Sequence, residues 1–504
     1  MTLNSPYPPH FEGGRAPSRT GCVMLAAGAM AMLAGCVTTD PRLDTPAINK
    51  ALAARGAPPL AWDRNGAGQD ETTIRAWLTE PMTGGRAVQV AMLRSPRLQS
   101  EFARLGVARA DILDAVQIAN PRFSFSRLGL QSGDGSQLVL GLSAPLVDLL
   151  VLPSRVRLAR SDFERAKLEI AASVLAVSLD VEEAWYDYVG ATQVADMRQA
   201  VAKSLATSEE LAQRYYEAGN ISELQLARET AVASEAQVNA SRALVTARRV
   251  RLKLNTVMGL GGADATWATS DRLSLPVATE DDPAALERLS RNGNLSLLAA
   301  RREVAILADA AGITRRFRLL GGTQIGYDRE QEVDRSVIHG PTLDVELPIF
   351  NQGGAKVARA DARLLAAKAR LAELELATDN GVRLGAERVK MFSDIVRLHH
   401  DALIPARETV VERSQQEQNY MLIGVFELIQ AKTQEYDAYQ SYLESIRDYW
   451  LARIDLMRVV GARLPSESGT SALAPSADEI LKPKTVGAPM DPNMKMPASE
   501  GSKP

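Results

Sequence analysis

The chain has 504 residues and a formal net charge of -3, so it has no overall basic field that would hold a nucleic acid. After residue 40 no run of 18 uncharged apolar residues occurs, which excludes ordinary transmembrane helices. Of 25 prolines only ten lie between residues 60 and 464, and aromatic residues make up 5%. This composition excludes a sandwich or propeller punctuated by Pro and Gly and favours long helices.

The N-terminus has the layout of a secretory signal. Arg15 and Arg19 precede an apolar run over residues 22–33, and Leu-Ala-Gly-Cys follows, ending at Cys36. The tetrapeptide resembles the bacterial lipoprotein box, which implies cleavage before Cys36 and a lipid on that cysteine. The only other cysteine, Cys22, would be lost with the signal, so the mature chain would have no disulfide. The alternative is a buried helix with an incidental cysteine.

The next elements are one helix, two strands and a helical hairpin. A helix is predicted over residues 85–115, and strands over residues 123–126 and 138–145. A helix from Ser154 to Glu217 would be roughly 96 Å long at 1.5 Å per residue. We predict that it turns at Gly219-Asn220 into a return helix from Ser222 to Met258, with Ser222 as N-cap and Gln225 completing a capping box.

The same order of elements returns about 200 residues later. Strands are predicted at Phe317 to Tyr327 and Thr342 to Leu347, around a polar loop at residues 329–336, and a second hairpin turns at Ile423-Gly424. Pro145 and Pro348 are 203 residues apart, and Tyr216 and Tyr420 are 204 apart. Two landmarks that agree within one residue predict a tandem duplication.

The predicted organisation has six parts. They are a signal peptide (1–35), a lipid-anchored N-terminal segment (36–84), a first repeat (85–260), an inter-repeat linker (261–283), a second repeat (284–461) and a C-terminal tail (462–504). The tail is rich in Pro and Ser, which predicts disorder. Its Met490, Met494 and Met496 are compatible with soft-metal binding, but a plain disordered tail is the favoured interpretation.

Four strands of about ten residues are long enough to cross hydrocarbon when tilted. Four strands cannot close a barrel, and open edges are not tolerated in lipid, so several chains would have to share one barrel. Leu343, Val345 and Leu347 would then face lipid, with Thr342, Asp344 and Glu346 facing water. The alternative is a soluble hairpin packed on helices.

These features resemble the outer-membrane efflux protein family, the TolC-like channels. The residues that carry the resemblance are the tandem repeat, residues 214–224 at the first tip, residues 420–431 at the second and the proline after strands two and four. The resemblance implies a mainly α fold with a small β part. Long helical hairpins would form an α-barrel, and four strands per chain would contribute to a shared trimeric transmembrane β-barrel.

The resemblance also implies partners and a place in the cell. It predicts a homotrimer in the cell outer membrane that extends into the periplasm, with a closed tip that docks on a periplasmic adaptor of an inner-membrane pump. The residues predicted at this tip are Tyr216, Gly219, Asn220, Ser222, Tyr420, Ile423 and Gly424. Glu223 and Glu427 are candidates for an acidic ring at the entrance, or else exposed glutamates that favour the helix dipole.

No catalytic constellation is found, so we expect neither an enzyme nor a cofactor. The P-loop, zinc-protease and Cys-x-x-Cys patterns are all absent. His399 and His400 are adjacent, and neighbours on a helix point about 100° apart, so a solvated pair is favoured over a metal site.

Three functions are compatible with an exported protein that contains long helical hairpins. An outer-membrane exit duct that passes small molecules or metal ions agrees best with two hairpins in tandem. A periplasmic adaptor would need one hairpin flanked by lipoyl-like halves, and a non-conducting envelope coiled-coil scaffold would have no use for four amphipathic strands. The cargo cannot be inferred from the sequence.

Overall fold

The computed structural model describes residues 45–59, 69–129, 136–467 and 472–482. The signal segment, Cys36 and the methionines of the tail lie outside these ranges. The first helices are α1 (Thr45–Ala53), α2 (Gln69–Thr79), α3 (Gly84–Arg94) and α4 (Pro96–Val116). The helix predicted over residues 85–115 is therefore two helices. Pro96 begins the second, and the residue before a proline is driven out of the helical region, as Ser95 is with ψ 118°.

Two strands and the first hairpin follow. The strands are β1 (Arg122–Gly129) and β2 (Ser136–Pro145), and the helices are α5 (Leu146–Glu217) and α6 (Glu223–Met258). Helix α5 starts eight residues earlier than predicted, at Leu146 with Pro145 as its N-cap, and Pro153 therefore lies inside the helix, where its missing N–H removes one hydrogen bond. With 72 residues it is about 108 Å long.

The second repeat has the same order of elements. After α7 (Pro283–Gly293) the chain forms α8 (Leu295–Phe317), β3 (Gln324–Gln331) and β4 (Val337–Asp344). A long helix follows as α9 (Gly354–Leu398), a π-helical turn (His399–Leu403) and α10 (Ile404–Asn419), and α11 (Val425–Val460) returns. Helices α6 and α11 are both 36 residues long and begin and end 202 positions apart, which supports the duplication.

The strand boundaries of the second repeat differ from the prediction. Residues 317–323 continue or follow α8, β3 extends into the predicted polar loop as far as Gln331, and β4 begins directly after that loop, at Val337. Pairing with β2, from Gln324 opposite Pro145 to Gln331 opposite Leu138, holds the strand in this place. The turn that remains is tight, with a left-handed Arg335 at φ 68°.

The four strands form one antiparallel sheet in the order β1-β2-β3-β4, so β1 and β4 are its edges. Near the sheet, helices α4, α5, α8 and α9 pack side by side, and further away the order is α6, α5, α11 and α9 with α10. In both layers α5 lies inside, whereas α6 and α9 occupy opposite edges of the far layer.

The core is densest where the linker crosses the helices. Trp267 of the linker stacks on Trp185 of α5 at 5.9 Å between ring centroids, and Tyr186 stacks on Trp450 of α11 at 5.0 Å. The linker is largely irregular, with one 3-10 turn at Gly262–Ala265. Its backbone groups are satisfied by helix side chains, as when the Val277 amide donates to the Tyr449 hydroxyl at 3.1 Å.

Part of the segment predicted as a disordered tail is ordered. The Leu275 amide donates to the Ala472 carbonyl at 3.0 Å, and the Ala474 amide donates to the Leu273 carbonyl at 2.7 Å. A short helix, α12 (Ala477–Leu481), follows with a capping box at Ser476. The prediction from composition is wrong for these residues because pairing with the linker supplies the contacts that the segment lacks by itself.

Candidate functional site

The first hairpin tip is built as predicted. Helix α5 ends at Glu217, and Gly219 adopts the left-handed conformation at φ 75°. The Asn220 amide donates to the Tyr215 carbonyl at 2.8 Å, the six-to-one bond that closes a helix end of this kind. Ser222 caps α6 by accepting from the Gln225 amide at 3.2 Å.

The capping box predicted at this tip is half formed. The Gln225 side chain donates to Glu229 at 2.9 Å and so does not return to the Ser222 amide. Glu229 is buried, and burial raises the pKa of its carboxyl. The Gln225 side chain thus supports a buried acid within its own helix.

The second tip turns at different residues from those predicted. Its left-handed residue is Met421 at φ 57°, and the Leu422 amide donates to the Glu417 carbonyl at 2.9 Å. Gly424 is the N-cap of α11, with φ -79° and no side-chain cap. The predicted turn at Ile423-Gly424 is corrected, because the helix ends at Asn419 and the left-handed residue, Met421, lies two residues before Ile423.

The candidate ring glutamates occupy different positions in their helices. Glu223 is the first residue of α6, whereas Glu427 is the third of α11. Two positions on a helix are about 200° apart, so the two carboxylates do not point in equivalent directions. Matching Tyr216 with Tyr420 gives an offset of 204 residues between the repeats. The N-caps of the return helices, Ser222 and Gly424, give an offset of 202 residues instead.

The tips also differ in polarity. At the second, Tyr420, Met421 and Leu422 are 79%, 92% and 73% exposed. At the first, Tyr215 and Tyr216 are about half as exposed as Tyr420, and the turn itself is polar. The second tip therefore presents an exposed apolar cluster, and the first does not.

Two edge helices carry apolar stripes that no described segment covers. On α6 the exposed apolar residues Val238, Val245 and Leu252 are spaced by seven, and on α9 so are Leu384, Met391 and Leu398. A repeat of seven is the pattern of a helix that packs against another in a coiled coil. The stripes were not found from the sequence, although the spacing of seven was visible there.

Both stripes lie at the same level of the molecule. Lys253 of α6 pairs with Glu183 at 3.0 Å, Glu183 with Arg458 at 2.9 Å, Arg458 with Asp455 at 3.0 Å and Asp455 with Arg388 of α9 at 3.4 Å. This network joins one edge helix to the other.

The sheet has one apolar and one polar face. Phe123, Leu142 and Tyr327 are cross-strand neighbours on the apolar face, and Ile325 lies opposite Leu343 there. The other face carries Ser124, Gly141 and Asp328 side by side. Leu343 and Thr342 alternate as predicted, whereas residues 345–347 lie beyond the end of β4.

The two histidines do not behave alike. His400 is exposed, with Nδ1 2.7 Å from the Asp401 carboxylate. His399 is half-buried 6.4 Å from the Tyr442 ring, and its Nδ1 has no hydrogen-bond partner among the described residues. Burial lowers the pKa of His399. The prediction of a solvated pair therefore holds for His400 alone.

In the described ranges no group of three or more His, Cys, Asp or Glu residues is placed to hold a metal ion. Over the same ranges, no helix is both long enough and apolar enough to cross a membrane.

Comparison with solved structures identifies the fold. The CmeC outer membrane channel of Campylobacter jejuni matches 82% of this chain and 96% of its own at a TM-score of 0.65 and 12% identity. The outer membrane protein VceC of Vibrio cholerae matches 75% of this chain and 96% of its own, with a TM-score of 0.62 and 15% identity. The open-state MtrE outer membrane channel of Neisseria gonorrhoeae matches 77% of this chain and 91% of its own, with a TM-score of 0.56 and 15% identity. No protein-family model matches the sequence, and no curated protein matches it significantly. The chain has the fold of these bacterial outer-membrane channels.

Proposed function

We propose that three copies of this chain form an outer-membrane channel, the exit duct of a tripartite efflux system. The observation that carries the proposal is a four-stranded sheet with one apolar face and two unpaired edges, joined to helices of about 100 Å. Such a sheet can sit in lipid only if other chains complete it. Three chains would supply twelve strands.

The apolar stripes support the same assembly. The α6 stripe of one copy would pack against the α9 stripe of the next, because both lie at the same level on opposite edges of the far layer. A contact between two different surfaces closes into a ring when its rotation allows it. The resulting α-barrel would extend the channel into the periplasm.

The tips would dock on a periplasmic adaptor. The exposed Tyr420, Met421 and Leu422 offer an apolar contact, and the polar turn at Gly219 and Asn220 lies at the equivalent hairpin end. The adaptor would link the channel to an inner-membrane pump that selects the cargo. Glu223 and Glu427 remain candidates for the entrance, each to be tested by itself.

Cys36 would carry the lipid anchor that places the mature N-terminus at the outer membrane. Labelled palmitate fed to cells should enter the wild-type protein and leave Cys36→Ser unlabelled. Incorporation into the variant would contradict the assignment.

Conductance in planar bilayers tests the channel itself. Purified protein should form discrete channels, and its mass in mild detergent should be near that of three chains. A stable monomer that inserts into the bilayer without conducting would contradict both the proposed channel and the proposed trimer.

A further inference from the structure

The two faces of the sheet carry opposite charges. Within the four strands, one face carries Asp328, Glu330 and Asp344 with Arg122 as its single arginine, whereas Arg127 and Arg329 lie on the other. The face with the arginines contains no acidic residue in the strands. Since neighbouring residues alternate between faces, the acids and two of the three strand arginines occupy positions of opposite parity.

The basic face is also the apolar and more exposed one. Along β3, Ile325, Tyr327 and Arg329 are exposed, and the alternating residues between them are half-buried. In the row of Arg329, Phe125, Leu140 and His339 are its cross-strand neighbours. The arginines thus belong to the surface that lipid would cover under the proposed function, on which this inference rests.

Both arginines lie near the end of the sheet away from the helices. Arg127 is two residues from the end of β1, and Arg329 is two residues from the end of β3. At the opposite end β2 runs directly into α5. The apolar rows therefore lie between the helices and the arginines, as the hydrocarbon lies between two headgroup layers.

The two guanidinium groups have no hydrogen bond or ion pair with any described residue. One strand separates them, and their rows are two residues apart, which places their Cα atoms roughly 12 Å from each other. Arginine side chains span much of that distance, so both can contact one headgroup. A guanidinium fork matches phosphate geometry with two parallel hydrogen bonds.

We propose that Arg127 and Arg329 form a binding site for a phosphorylated lipid headgroup in the leaflet reached by the turn end of the sheet. Each basic side chain near an anionic lipid surface strengthens association by about fivefold. Loss of both should therefore weaken lipid binding by roughly 25-fold.

Native mass spectrometry of the detergent-solubilised protein tests the site. The probes are lipid A with both phosphates and the same lipid with its phosphates removed. The wild type should retain the phosphorylated lipid, and Arg127→Gln with Arg329→Gln should lose it. Arg122→Gln is the control for position, because Arg122 lies on the opposite face of the sheet and its substitution removes an arginine charge there.

The result is decisive in either direction. Equal retention of the two lipids by the wild type, or equal retention of the phosphorylated lipid by wild type and double variant, would overturn the site. Equal loss in the Arg122→Gln control would do so as well. Bilayer conductance separates this inference from the proposed function. If the double variant forms normal channels and retains the phosphorylated lipid as the wild type does, the lipid site alone is contradicted. If the wild type forms no channels, the proposed function is contradicted.

Discussion

The Arg453 guanidinium, fully buried in α11, forms an ion pair with the Glu280 carboxylate of the inter-repeat linker. Glu280 also accepts from the Tyr449 hydroxyl at 2.5 Å, and Arg453 donates to Ser466 after the last long helix at 3.0 Å. One buried cation thus connects the linker, the second hairpin and the segment that follows it.

Removal of the acid from this pair should be costly. Glu280→Gln leaves the buried Arg453 charge uncompensated, and we expect about 3–5 kcal/mol of destabilisation in urea unfolding. Glu287→Gln is the control, because its partner Arg383 is exposed and such pairs contribute below about 1 kcal/mol. A variant at Glu280 as stable as the control would contradict the prediction.

The two tips should respond in opposite directions to substitution. Gly219→Ala places a Cβ in a left-handed conformation and should destabilise the first turn by about 1–2 kcal/mol. Met421→Gly removes that strain and should stabilise the second turn by up to about 1 kcal/mol. Hydrogen exchange of the turn amides measures both. A change of the same sign at the two tips would argue against the assigned turn residues.

The inequivalent glutamates should act differently on ion flow. Because Glu223 and Glu427 are about 200° apart on matched helices, we expect at most one of Glu223→Gln and Glu427→Gln to lower cation selectivity in bilayers. The other should cost only the helix-dipole contribution of about 0.3–1 kcal/mol. An equal loss of selectivity from each would instead support a ring of six carboxylates.

A charge within the α6 stripe should break the assembly. Val245 is 64% exposed in the single chain, and Val245→Glu would bury a carboxylate between two copies. We expect the mass in mild detergent to fall toward that of one chain. Arg248→Gln changes the charge equally, but it removes a charge about 60° from Val245 on the helix instead of placing one within the stripe, and it should keep the assembled mass. Assembly of both variants would place the contact elsewhere.

Stability should fall in acid through Glu183. Burial alone would raise the pKa of Glu183, but hydrogen bonds from Arg458 and Lys253 outweigh it and leave the pKa below its usual value. A lowered pKa in the folded state contributes stability above the unfolded pKa of about 4.3 and loses it as the pH falls further. The Tm difference between wild type and Glu183→Gln should therefore shrink below about pH 4. A difference that is constant with pH would exclude this role.

The sequence predicted the elements better than their boundaries. Gly219 and Ser222 marked the first tip correctly, because a left-handed glycine and a serine N-cap are local signals. Met421 gives no such signal, since a long apolar residue seldom adopts this conformation and only the surrounding helices impose it. The similar tyrosines then shifted the alignment of the repeats by two residues.

Long-range pairing decided what local patterns could not. The strand β3 is fixed by its register with β2, almost 190 residues away in the chain. The residues around Leu473 are ordered by the linker, which composition cannot reveal. The half-buried His399 lies in a π-helical turn that no residue pattern announced.

The packing of α5 restricts the changes of length that this helix can accept. An insertion of seven residues would add about 10 Å and leave the α5 side chains beyond it within about 20° of their present direction. An insertion of five would rotate everything beyond it by about 140° and bury the wrong side chains. Four long helical segments lie side by side: α5, α6, α9 with α10, and α11. Relatives with longer or shorter hairpins should therefore differ by multiples of seven residues in all four segments at once.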